Sequence, residues 1–488
     1  MKDSNLQEVL KTYEPVIGLE IHVQLDSKSK AYSSDSTQYG GMPNTQVNPI
    51  SLGHPGTLPR VNKEVIEYAV RLGLALDCTI RERNEYARKN YFYADLPKGY
   101  QITQDTTPIC TGGFVDIKDA DGKPKKIGLT RIHMEEDSGK SSHDIDPFNT
   151  LIDLNRAGVA LLEIVSEPEF KNGLEAYSYL NEMRKLVRYL DISDGNMEEG
   201  SLRCDVNISI KPIGRERFGT KVEVKNMNSF RNVQKAIDYE IVRQAAVLNS
   251  GEEVLQQTMT FNAASGKTIL LRAKEDAHDY RYFPEPDLQP VMVREPFIAD
   301  VKENLPPLPK ELLQKYLDLG LSDYDANLLV ETKEVALYFE ELIEVYKNYK
   351  TAANWIMGVV KSYMNDRAIS IESFPLRPTK LAQLIKLVDD GKVSNSAASG
   401  DLFKALIEEP EAEAEEIAKK LNLIQESDSG ALLGFVKEAI AKYPAKVEEY
   451  KAGKKGLMGL FMGEVMKLSK GKADPKITSK LVQEELEK

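Results

Sequence analysis

VIGLEIHVQL, residues 16–25, alternates apolar and polar side chains along its whole length. Alternate side chains of a β-strand share a face, so this segment predicts a strand with one apolar and one polar face. The apolar face carries Ile17, Leu19, Ile21, Val23 and Leu25, and the polar face carries Gly18, Glu20, His22 and Gln24. Glu20 and His22 are then neighbours on one surface, where a carboxylate and an imidazole can share a metal ion. An ordinary solvated strand face is the alternative, because antiparallel sheets often expose one side to water.

Three further segments show the same alternation: KKIGLTRIHM (125–134), SLRCDVNISI (201–210) and TKVEVKN (220–226). The segment EAYSYLNEMRKLVRYL (175–190) lies between two of them and has the spacing of a helix. Short alternating strands broken by Gly, Pro and Asn are typical of antiparallel sheet. This part of the chain therefore predicts one large α+β domain built on an antiparallel sheet.

A proline-rich segment, PFIADVKENLPPLPKELL, begins at Pro296 and predicts a domain boundary. Beyond it the apolar residues follow helical spacing, as at Leu381, Leu384, Ile385 and Val388. The predicted fold class is thus α+β, with a large antiparallel-sheet domain followed by all-α domains. The predicted boundaries are 1–297 for the sheet domain, 298–408 for a helical domain and 409–488 for a helical tail domain.

The composition of the chain excludes several classes of protein. A net charge of −12 over 488 residues disfavours a generic nucleic-acid binder, so any contact with RNA requires a local basic patch. The cysteines Cys78, Cys110 and Cys204 are widely spaced and odd in number, which fits neither a disulfide framework nor a metal cluster. No apolar run approaches the ~18 residues of a membrane helix, and the N-terminus has no apolar signal core. These features predict a soluble cytoplasmic protein.

Two similar acidic segments, MEEDS (134–138) and MEEGS (197–201), each adjoin an alternating strand. Carboxylates clustered at strand ends suit Mg²⁺, a hard cation that takes oxygen ligands. Two acidic turns in water are the alternative. In the strand that follows the second segment, Arg203 and Asp205 lie on the polar face and Cys204 on the apolar face. The pair fits either a phosphate contact beside a metal ligand or a surface ion pair, and Cys204 fits a core thiol.

The segment ARKNYFYADLPKGYQITQ (87–104) interleaves basic and aromatic residues, namely Arg88, Lys89 and Lys98 with Tyr91, Phe92, Tyr93 and Tyr100. Such a mixture can stack on bases and hold phosphates, and aromatic packing under a loop is the alternative. The sequence has no phosphate-binding P-loop and no dinucleotide glycine fingerprint. It also has no serine or cysteine motif of an amidase.

Residues 451–480 contain eight lysines but only two acids, Glu464 and Asp474. This is the local basic patch that contact with RNA would require in an acidic chain. A solvated lysine-rich helix is the alternative.

Long segments of the chain resemble the B subunit of the aspartyl/glutamyl-tRNA amidotransferases. Between residues 16 and 290 the resemblance rests on VIGLEIHVQL, SLGHPGTLP, RKNYFYADLPKGYQITQ, TRIHMEEDSGKS, DLNRAGVALLEIVSEPE, MEEGSLRCDVNIS, GTKVEVKNMNSF and DYRYFPEPDL, in family order. The C-terminal segment GLMGLFMGEVMKLSKGKADPKITSKLVQEEL resembles the helical tail of the family. The resemblance is therefore nearly full length, and its motifs are long and specific.

This resemblance implies a ligase that uses ATP and Mg²⁺. The large N-terminal domain of the family, called the cradle, phosphorylates the side-chain carboxylate of Glu or Asp misacylated onto tRNA(Gln) or tRNA(Asn). A glutaminase, the A subunit, supplies ammonia, which displaces the phosphate to give Gln-tRNA(Gln) or Asn-tRNA(Asn), and a small C subunit completes the heterotrimer. The metal is needed because the carboxylate and the γ-phosphate are both anions. The resemblance admits Glu-tRNA(Gln), Asp-tRNA(Asn) or both as substrates.

The resemblance also implies site residues. Its metal and catalytic positions correspond to Glu20, His22, Glu136 and Asp205, although strand alternation would place Glu135, not Glu136, with His133. The expected nucleotide-binding residues are Lys89, Tyr91, Glu198, Glu199 and Arg203. The family tail holds tRNA, which implies tRNA contacts for Lys454, Lys455, Lys467, Lys470 and Lys472.

One departure from the family concerns zinc. Many members carry a four-cysteine zinc site, but the corresponding positions here are Ser33, Asp35, Asn48 and Ser51. Structural zinc prefers thiolate and imidazole ligands. We therefore expect no zinc, and we expect ordinary packing to hold this loop.

Two other functions compete with the kinase half of an amidotransferase. A tRNA-binding scaffold without catalysis is disfavoured, because Glu20, His22, Glu136 and Asp205 are all present. A free-standing ATP-dependent amide ligase is disfavoured, because the sequence shows no glutaminase motif.

Overall fold

The computed structural model describes residues 3–143, 145–273, 280–425, 429–469 and 473–488. The chain divides into two compact units, Met1–Pro309 and Lys310–Lys488. None of the helices in the described ranges is long and apolar enough to cross a membrane.

The first unit is built on a large, mainly antiparallel sheet. Its strands are β1 (Tyr13–Gln24), β2 (Thr79–Ile80), β3 (Arg83–Asn84), β4 (Ala87–Asn90), β5 (Tyr100–Thr103), β6 (Cys110–Thr111), β7 (Phe114–Lys118), β8 (Pro124–Glu136), β9 (Lys140–Ser142), β10 (Leu151–Asp153), β11 (Ala160–Ser166), β12 (Leu202–Pro212), β13 (Val222–Lys225), β14 (Gln257–Asn262), β15 (Lys267–Ala273), β16 (Phe283–Pro284) and β17 (Val291–Met292). The strand order is β15-β14-β13-β12-β1-β11-β8-β6-β2, and β7 also pairs with β8. Only the β13–β14 pair in this sheet is parallel among the described strands.

Helices cover the apolar face of the sheet. The helices of this unit are α1 (Asp3–Val9), α2 (Lys63–Ala75), α3 (Gly173–Tyr189), α4 (Phe230–Asn249) and α5 (Glu295–Glu303). Side chains of α2, α3 and α4 share one hydrophobic core with the buried face of β1. Asn172 and Ser229 begin α3 and α4 by accepting hydrogen bonds from backbone N–H groups of the first turn. The polar face of β1 lies on the other side of the sheet, where its side chains are half-buried.

The predicted fold class is confirmed, and the reason is the alternation of β1. Ile17, Ile21 and Val23 are fully buried, so the strand lies with its apolar face against the helices, as period-two patterning requires. The other three alternating segments form β8, β12 and β13, and the segment predicted to be helical lies within α3 except for its last residue, Leu190, which caps the helix.

The second unit is helical. Its α-helices are α6 (Pro309–Asp318), α7 (Asp323–Leu329), α8 (Lys333–Val345), α9 (Tyr349–Trp355), α10 (Lys361–Arg367), α11 (Pro378–Asp389), α12 (Asn395–Ala397), α13 (Phe403–Glu408), α14 (Ala414–Lys420), α15 (Ser429–Lys442), α16 (Pro444–Lys451), α17 (Met458–Leu468) and α18 (Pro475–Glu487). Short π-helical segments join α9 to α10 and α12 to α13, at Ile356–Val360 and Ala398–Leu402, and 3-10 turns lie at Ile371–Ser373 and Lys455–Leu457.

Packing contacts near residues 297 and 409 bear on the two predicted domain limits. The first unit continues past residue 297 because Val301 of α5 and Leu308 are buried in its core. In the second unit, α15, α16, α17 and α18 enclose a core of their own around Leu432, Phe461 and Val482. The start of the tail domain at residue 409 stays a prediction, since α14 packs against α11 and α13.

Candidate active site

Three adjacent strands place a row of ionisable side chains on the polar face of the sheet. The antiparallel register sets Glu163 of β11 opposite His22 of β1 and opposite His133 of β8. The Glu163 Oε2 atom is 3.3 Å from His22 Nε2 and 3.4 Å from His133 Nε2. One buried carboxylate therefore joins two imidazoles from the neighbouring strands.

Two more carboxylates flank this row. Glu20 Oε1 is 3.7 Å from His22 Nε2, and Glu135 Oε2 is 3.6 Å from His133 Nε2. The ligand atoms of Glu20, His22 and Glu163 all lie within 4.8 Å of one another, and so do those of His133, Glu135 and Glu163. We call these five residues the carboxylate–histidine row. Oxygen ligands with an imidazole suit a divalent cation such as Mg²⁺ or Mn²⁺.

Burial and mutual contact shift the pKa values of the row. Burial raises the pKa of Glu20, and the neighbouring Glu163 carboxylate raises it further. Burial alone would lower the pKa of His133, but hydrogen bonds to Glu135 and Glu163 outweigh it and raise the pKa to about 9. Burial alone would raise the pKa of Glu163, but the two histidines hold it well below the usual range. A protonated His133 thus offsets the charge of the neighbouring carboxylates, and a metal ion bound by its imidazole would displace that proton.

The basic and aromatic segment brings a lysine to one end of the row. Lys89 Nζ of β4 is 3.6 Å from Glu135 Oε1 and 5.3 Å from the ring centre of Tyr280. Thr103 Oγ1 of β5 donates a 3.0 Å hydrogen bond to Glu135 Oε2. Tyr91 packs edge-on against Tyr280, with ring centres 6.1 Å apart. Lys89 and Tyr91, which are predicted to bind the nucleotide, therefore lie at one border of the row.

Glu136 lies on the other face of the sheet, contrary to the expectation from the family resemblance. Its carboxylate accepts hydrogen bonds from the ammonium of Lys98 and, at 2.8 Å, from the backbone N–H of Ile102. The reason is that β8 pairs regularly with β11 from Arg131 to its last residue, with Glu135 opposite Leu161 and Glu136 opposite Ala160. Strand alternation therefore sends Glu135 into the row and Glu136 away from it.

Asp205 and Arg203 border the row on β12. The register sets Asp205 opposite Glu20 and Arg203 opposite His22. Asp205 Oδ2 accepts a 2.6 Å hydrogen bond from Lys225 Nζ. Arg203 Nη2 donates a 2.7 Å hydrogen bond to Asp137, and Arg203 Nε is buried without a partner among the described residues. A guanidinium with an unused donor beside the row is suited to a phosphate oxygen.

Glu198 and Glu199 lie apart from these residues. Both are exposed in the turn that precedes β12, and Glu198 lines a cavity at the ends of α3 and α4. Neither belongs to the two groups of close ligand atoms found among the described residues.

Sequence reasoning did not select Glu163, the residue that joins the row. The available signal was a single carboxylate within the otherwise apolar strand ALLEIVS, residues 160–166. A buried charge requires a partner, and that rule would have marked Glu163 as functional. His133 was noticed only for its alternation with Glu135.

Comparison with known proteins identifies the family. Residues 15–299 match the model of the GatB/GatE catalytic domain, and residues 337–486 match that of the GatB domain. The B subunit of the aspartyl/glutamyl-tRNA(Asn/Gln) amidotransferase from Persephonella marina is 47% identical over 97% of this chain and 99% of its own length. The B subunits from Salinibacter ruber and Thermoanaerobacter pseudethanolicus are each 47% identical, over 97% and 98% of this chain and 97% and 100% of their own lengths.

The chain belongs to the family of amidotransferase B subunits.

The loop that carries zinc cysteines in many family members is held here by a polar network. Asp35 Oδ2 accepts hydrogen bonds from Ser33 Oγ at 3.0 Å, from Asn48 N–H at 3.2 Å and from Ser51 Oγ. Lys30 Nζ lies 3.8 Å from the same oxygen and donates a 2.8 Å hydrogen bond to the Gln46 carbonyl. The expectation of ordinary packing is therefore replaced by a network centred on Asp35.

We predict that the purified protein contains well below one zinc per chain. Serine, asparagine and aspartate at these four positions give a donor set that structural zinc does not prefer. Metal analysis by mass spectrometry after dialysis against a weak chelator measures the content. One zinc per chain would contradict the prediction.

The tail lysines predicted to contact tRNA in this family are only partly described. Lys454 Nζ pairs with Glu449 at 3.0 Å, Lys455 Nζ lies 4.2 Å from the ring centre of Tyr450, and Lys467 is exposed. Lys470 and Lys472 lie outside the described residues. Contact with tRNA stays a prediction for all five.

Proposed function

We propose that this chain is the carboxylate-activating component of a tRNA-dependent amidotransferase. Using ATP, it phosphorylates the side-chain carboxylate of Glu or Asp on misacylated tRNA(Gln) or tRNA(Asn), and ammonia then displaces the phosphate to form the amide. The observation that carries this proposal is the carboxylate–histidine row on the polar face of a sheet whose sequence matches the GatB/GatE catalytic domain. A scaffold protein without catalysis would have no need for such a costly buried cluster.

The residues of the row fit a divalent cation. Glu20, His22 and Glu163 offer two carboxylates and one imidazole from adjacent strands, with Glu135 and His133 beside them. The buried Nδ1 of His133 has no hydrogen-bond partner among the described residues. This nitrogen can therefore still bind a ligand or a hydrogen-bond partner. When bound, Mg²⁺ supplies the positive charge that lets an anionic carboxylate approach the γ-phosphate.

The surrounding cations act on the phosphate groups. Arg203 and Lys89 border the row from opposite sides, on β12 and β4. Each is held in place by a carboxylate, Asp137 for Arg203 and Glu135 for Lys89. Side chains fixed in this way can bind developing negative charge without reorganising, which is the main source of catalysis in phosphoryl transfer. Asp205 forms an ion pair with Lys225 and lies opposite Glu20 in the sheet, so it positions side chains at the border of the row.

We infer that the nitrogen comes from another protein of the complex. Hydrolysis of glutamine by a cysteine would need a reactive thiolate, but Cys110 and Cys204 are buried, and burial raises their pKa values. Burial also raises the pKa of Cys78 to about 12, and its thiol donates to the Gly112 carbonyl. We infer that a glutaminase, the A subunit, supplies ammonia and that a small C subunit completes the complex.

The proposed function is tested by assembling the chain with candidate A and C subunits. The complex should convert Glu-tRNA(Gln) or Asp-tRNA(Asn) to the amide form when glutamine, ATP and Mg²⁺ are all supplied. Omission of this chain should abolish the conversion. A complete complex that hydrolyses glutamine but never amidates either tRNA would refute the proposal.

We predict that removal of residues 429–488 weakens tRNA binding but spares ATP binding. The helices removed have their own core, and none of the row residues lies in them, so the first unit should remain folded. If several tail lysines contact phosphates, the apparent KM for Glu-tRNA should rise at least about tenfold, and the log–log salt dependence should flatten by roughly 0.7–0.9 for each phosphate that the tail neutralises. Fluorescence anisotropy of labelled tRNA on the assembled complex measures both the affinity and the slope. Unchanged affinity and slope would show that recognition lies elsewhere.

A further inference from the structure

The first unit contains a second concave site, separate from the carboxylate–histidine row. A cavity of about 480 Å³ lies between the C-terminal half of α3, the turn at 194–198 and the start of α4. Arg184 and Arg188 of α3 and Arg231 of α4 line it. We call it the arginine cavity.

Within the described ranges, the three arginines have no ion-pair partner. Among the described residues, no carboxylate oxygen lies within 4.0 Å of their guanidinium nitrogens, whereas Arg88 and Arg203 each have such a partner. Arg184 lies 5.1 Å from the ring centre of Phe230, which fixes its position. Arg188 and Arg231 are exposed. The chain as a whole is acidic, with a net charge of −12. Three guanidinium groups around one cavity therefore differ from the average surface and favour the binding of an anion.

The remaining lining fits an anion of moderate charge. Asp194 and Glu198 also line the cavity, so the three arginines exceed the acids by one and the formal net charge of the lining is +1. The cavity includes Ser229, the residue that begins α4, and this helix of 20 residues has no acid in its first turn. The positive end of the α4 dipole therefore adds to the arginines.

The arginine cavity adjoins the strand ends that border the row. The turn at 194–198 leads into β12, whose second residue is Arg203. On the other side, β13 ends at Lys225, the partner of Asp205, and the lining residue Asn228 follows three positions later. Three residues span at most roughly 11 Å, so this side of the cavity lies near the end of β13 that borders the row.

We propose that the arginine cavity binds a backbone phosphate of the aminoacyl-tRNA near its reactive end. This inference rests on the proposed function and names a place where the substrate is held. A planar guanidinium group can donate hydrogen bonds to two oxygens of one phosphate. Such contacts position RNA without reading its sequence. A protein partner fits less well, because interface cores combine Arg with aromatic side chains and Met, whereas Phe230 is buried and Met197 half-buried here.

The test is the double variant Arg188→Gln/Arg231→Gln in the complex assembled with the A and C subunits. Both side chains are exposed, so folding should be preserved. The control is Arg217→Gln/Arg377→Gln, which removes the same charge at two exposed positions outside the cavity. Anisotropy with deacylated tRNA at several salt concentrations is expected to show at least about tenfold weaker binding for the cavity variant only, with a slope shallower by roughly one unit. A cavity variant that retains charge, Arg188→Lys/Arg231→Lys, should keep most of the slope.

Three results would overturn the inference. The first is equal affinity and slope in the cavity and control variants. The second is loss of ATP affinity with unchanged tRNA affinity, which would assign the cavity to the nucleotide. The third is failure to assemble with the partners, which would make the cavity a protein interface. A wild-type complex that binds no tRNA would instead refute the proposed function, and that result does not depend on the variants.

Discussion

Replacement of Glu163 by Gln should lower tRNA-dependent ATP hydrolysis by at least about a thousandfold. Glu163 is the carboxylate shared by His22 and His133, so its charge holds the centre of the row. Loss of a metal ligand that stabilises transition-state charge costs several kcal/mol, and about 4 kcal/mol corresponds to three powers of ten in rate. The glutamine side chain has nearly the same volume, so the sheet should still form.

The matched control for this variant is Glu136→Gln. Glu136 is on the neighbouring strand and equally buried, but it faces away from the row toward Lys98. We expect Glu136→Gln to lower thermal stability while the affinity for Mn²⁺, measured by electron paramagnetic resonance, stays within about threefold of wild type. Glu163→Gln should lose Mn²⁺ binding yet leave the glutaminase activity of the assembled complex in place. Wild-type ATPase activity in Glu163→Gln would contradict the assignment of the row.

Replacement of Asp35 by Asn should destabilise the loop around it by about 3 kcal/mol, the lower end of the cost of breaking a buried ion pair. The Asp35 carboxylate accepts three hydrogen bonds and faces the ammonium of Lys30. The Lys30 side chain is 1% exposed, and burial lowers its pKa to about 8. Without Asp35 the buried ammonium has no carboxylate within 4.0 Å among the described residues, and only Glu136 and Asp153 offset its charge from further away. Native-state hydrogen exchange of residues 30–52 should then accelerate more than a hundredfold.

The dependence of this effect on pH has a definite sign. Lys30 has a folded pKa below its ordinary value of 10.5, so the folded state binds fewer protons than the unfolded state between about pH 8 and 10.5, and stability rises with pH through that window. The electrostatic part of the destabilisation by Asp35→Asn should shrink as pH rises toward 8 and be nearly absent above it, because Lys30 is then neutral in the folded protein and no longer needs the carboxylate. A constant destabilisation from pH 7 to 10 would contradict this account.

The control for Asp35→Asn is the double variant Lys30→Met/Asp35→Asn. Removal of both charges leaves no unpaired ion, so the double variant should be more stable than Asp35→Asn alone. If both variants are equally destabilised, the hydrogen bonds from the serines, rather than the ion pair, hold the loop.

The sequence by itself determined which segments form strands and which face of each strand is polar. These properties depend on local alternation, and local alternation placed Glu20 beside His22 and Arg203 beside Asp205 on polar faces. The same rule, applied to β8, correctly joined Glu135 with His133, and it was the family alignment that favoured Glu136. The family itself was also evident from the motifs, which lie within the residues 15–299 that match the model of the GatB/GatE catalytic domain.

Only the tertiary structure decided which strands lie next to each other and in what register. Glu163 is far from His22 in sequence, and nothing in ALLEIVS indicates that β11 pairs between β1 and β8. Strand pairing between distant segments is fixed by the packing of the whole apolar face against the helices, so a single strand cannot specify it. The same holds for Asp35, whose partners Ser33, Asn48 and Ser51 converge only when the loop folds. Periodicity specifies a face, but the identity of the residues that meet across strands depends on register, which is a property of the complete sheet.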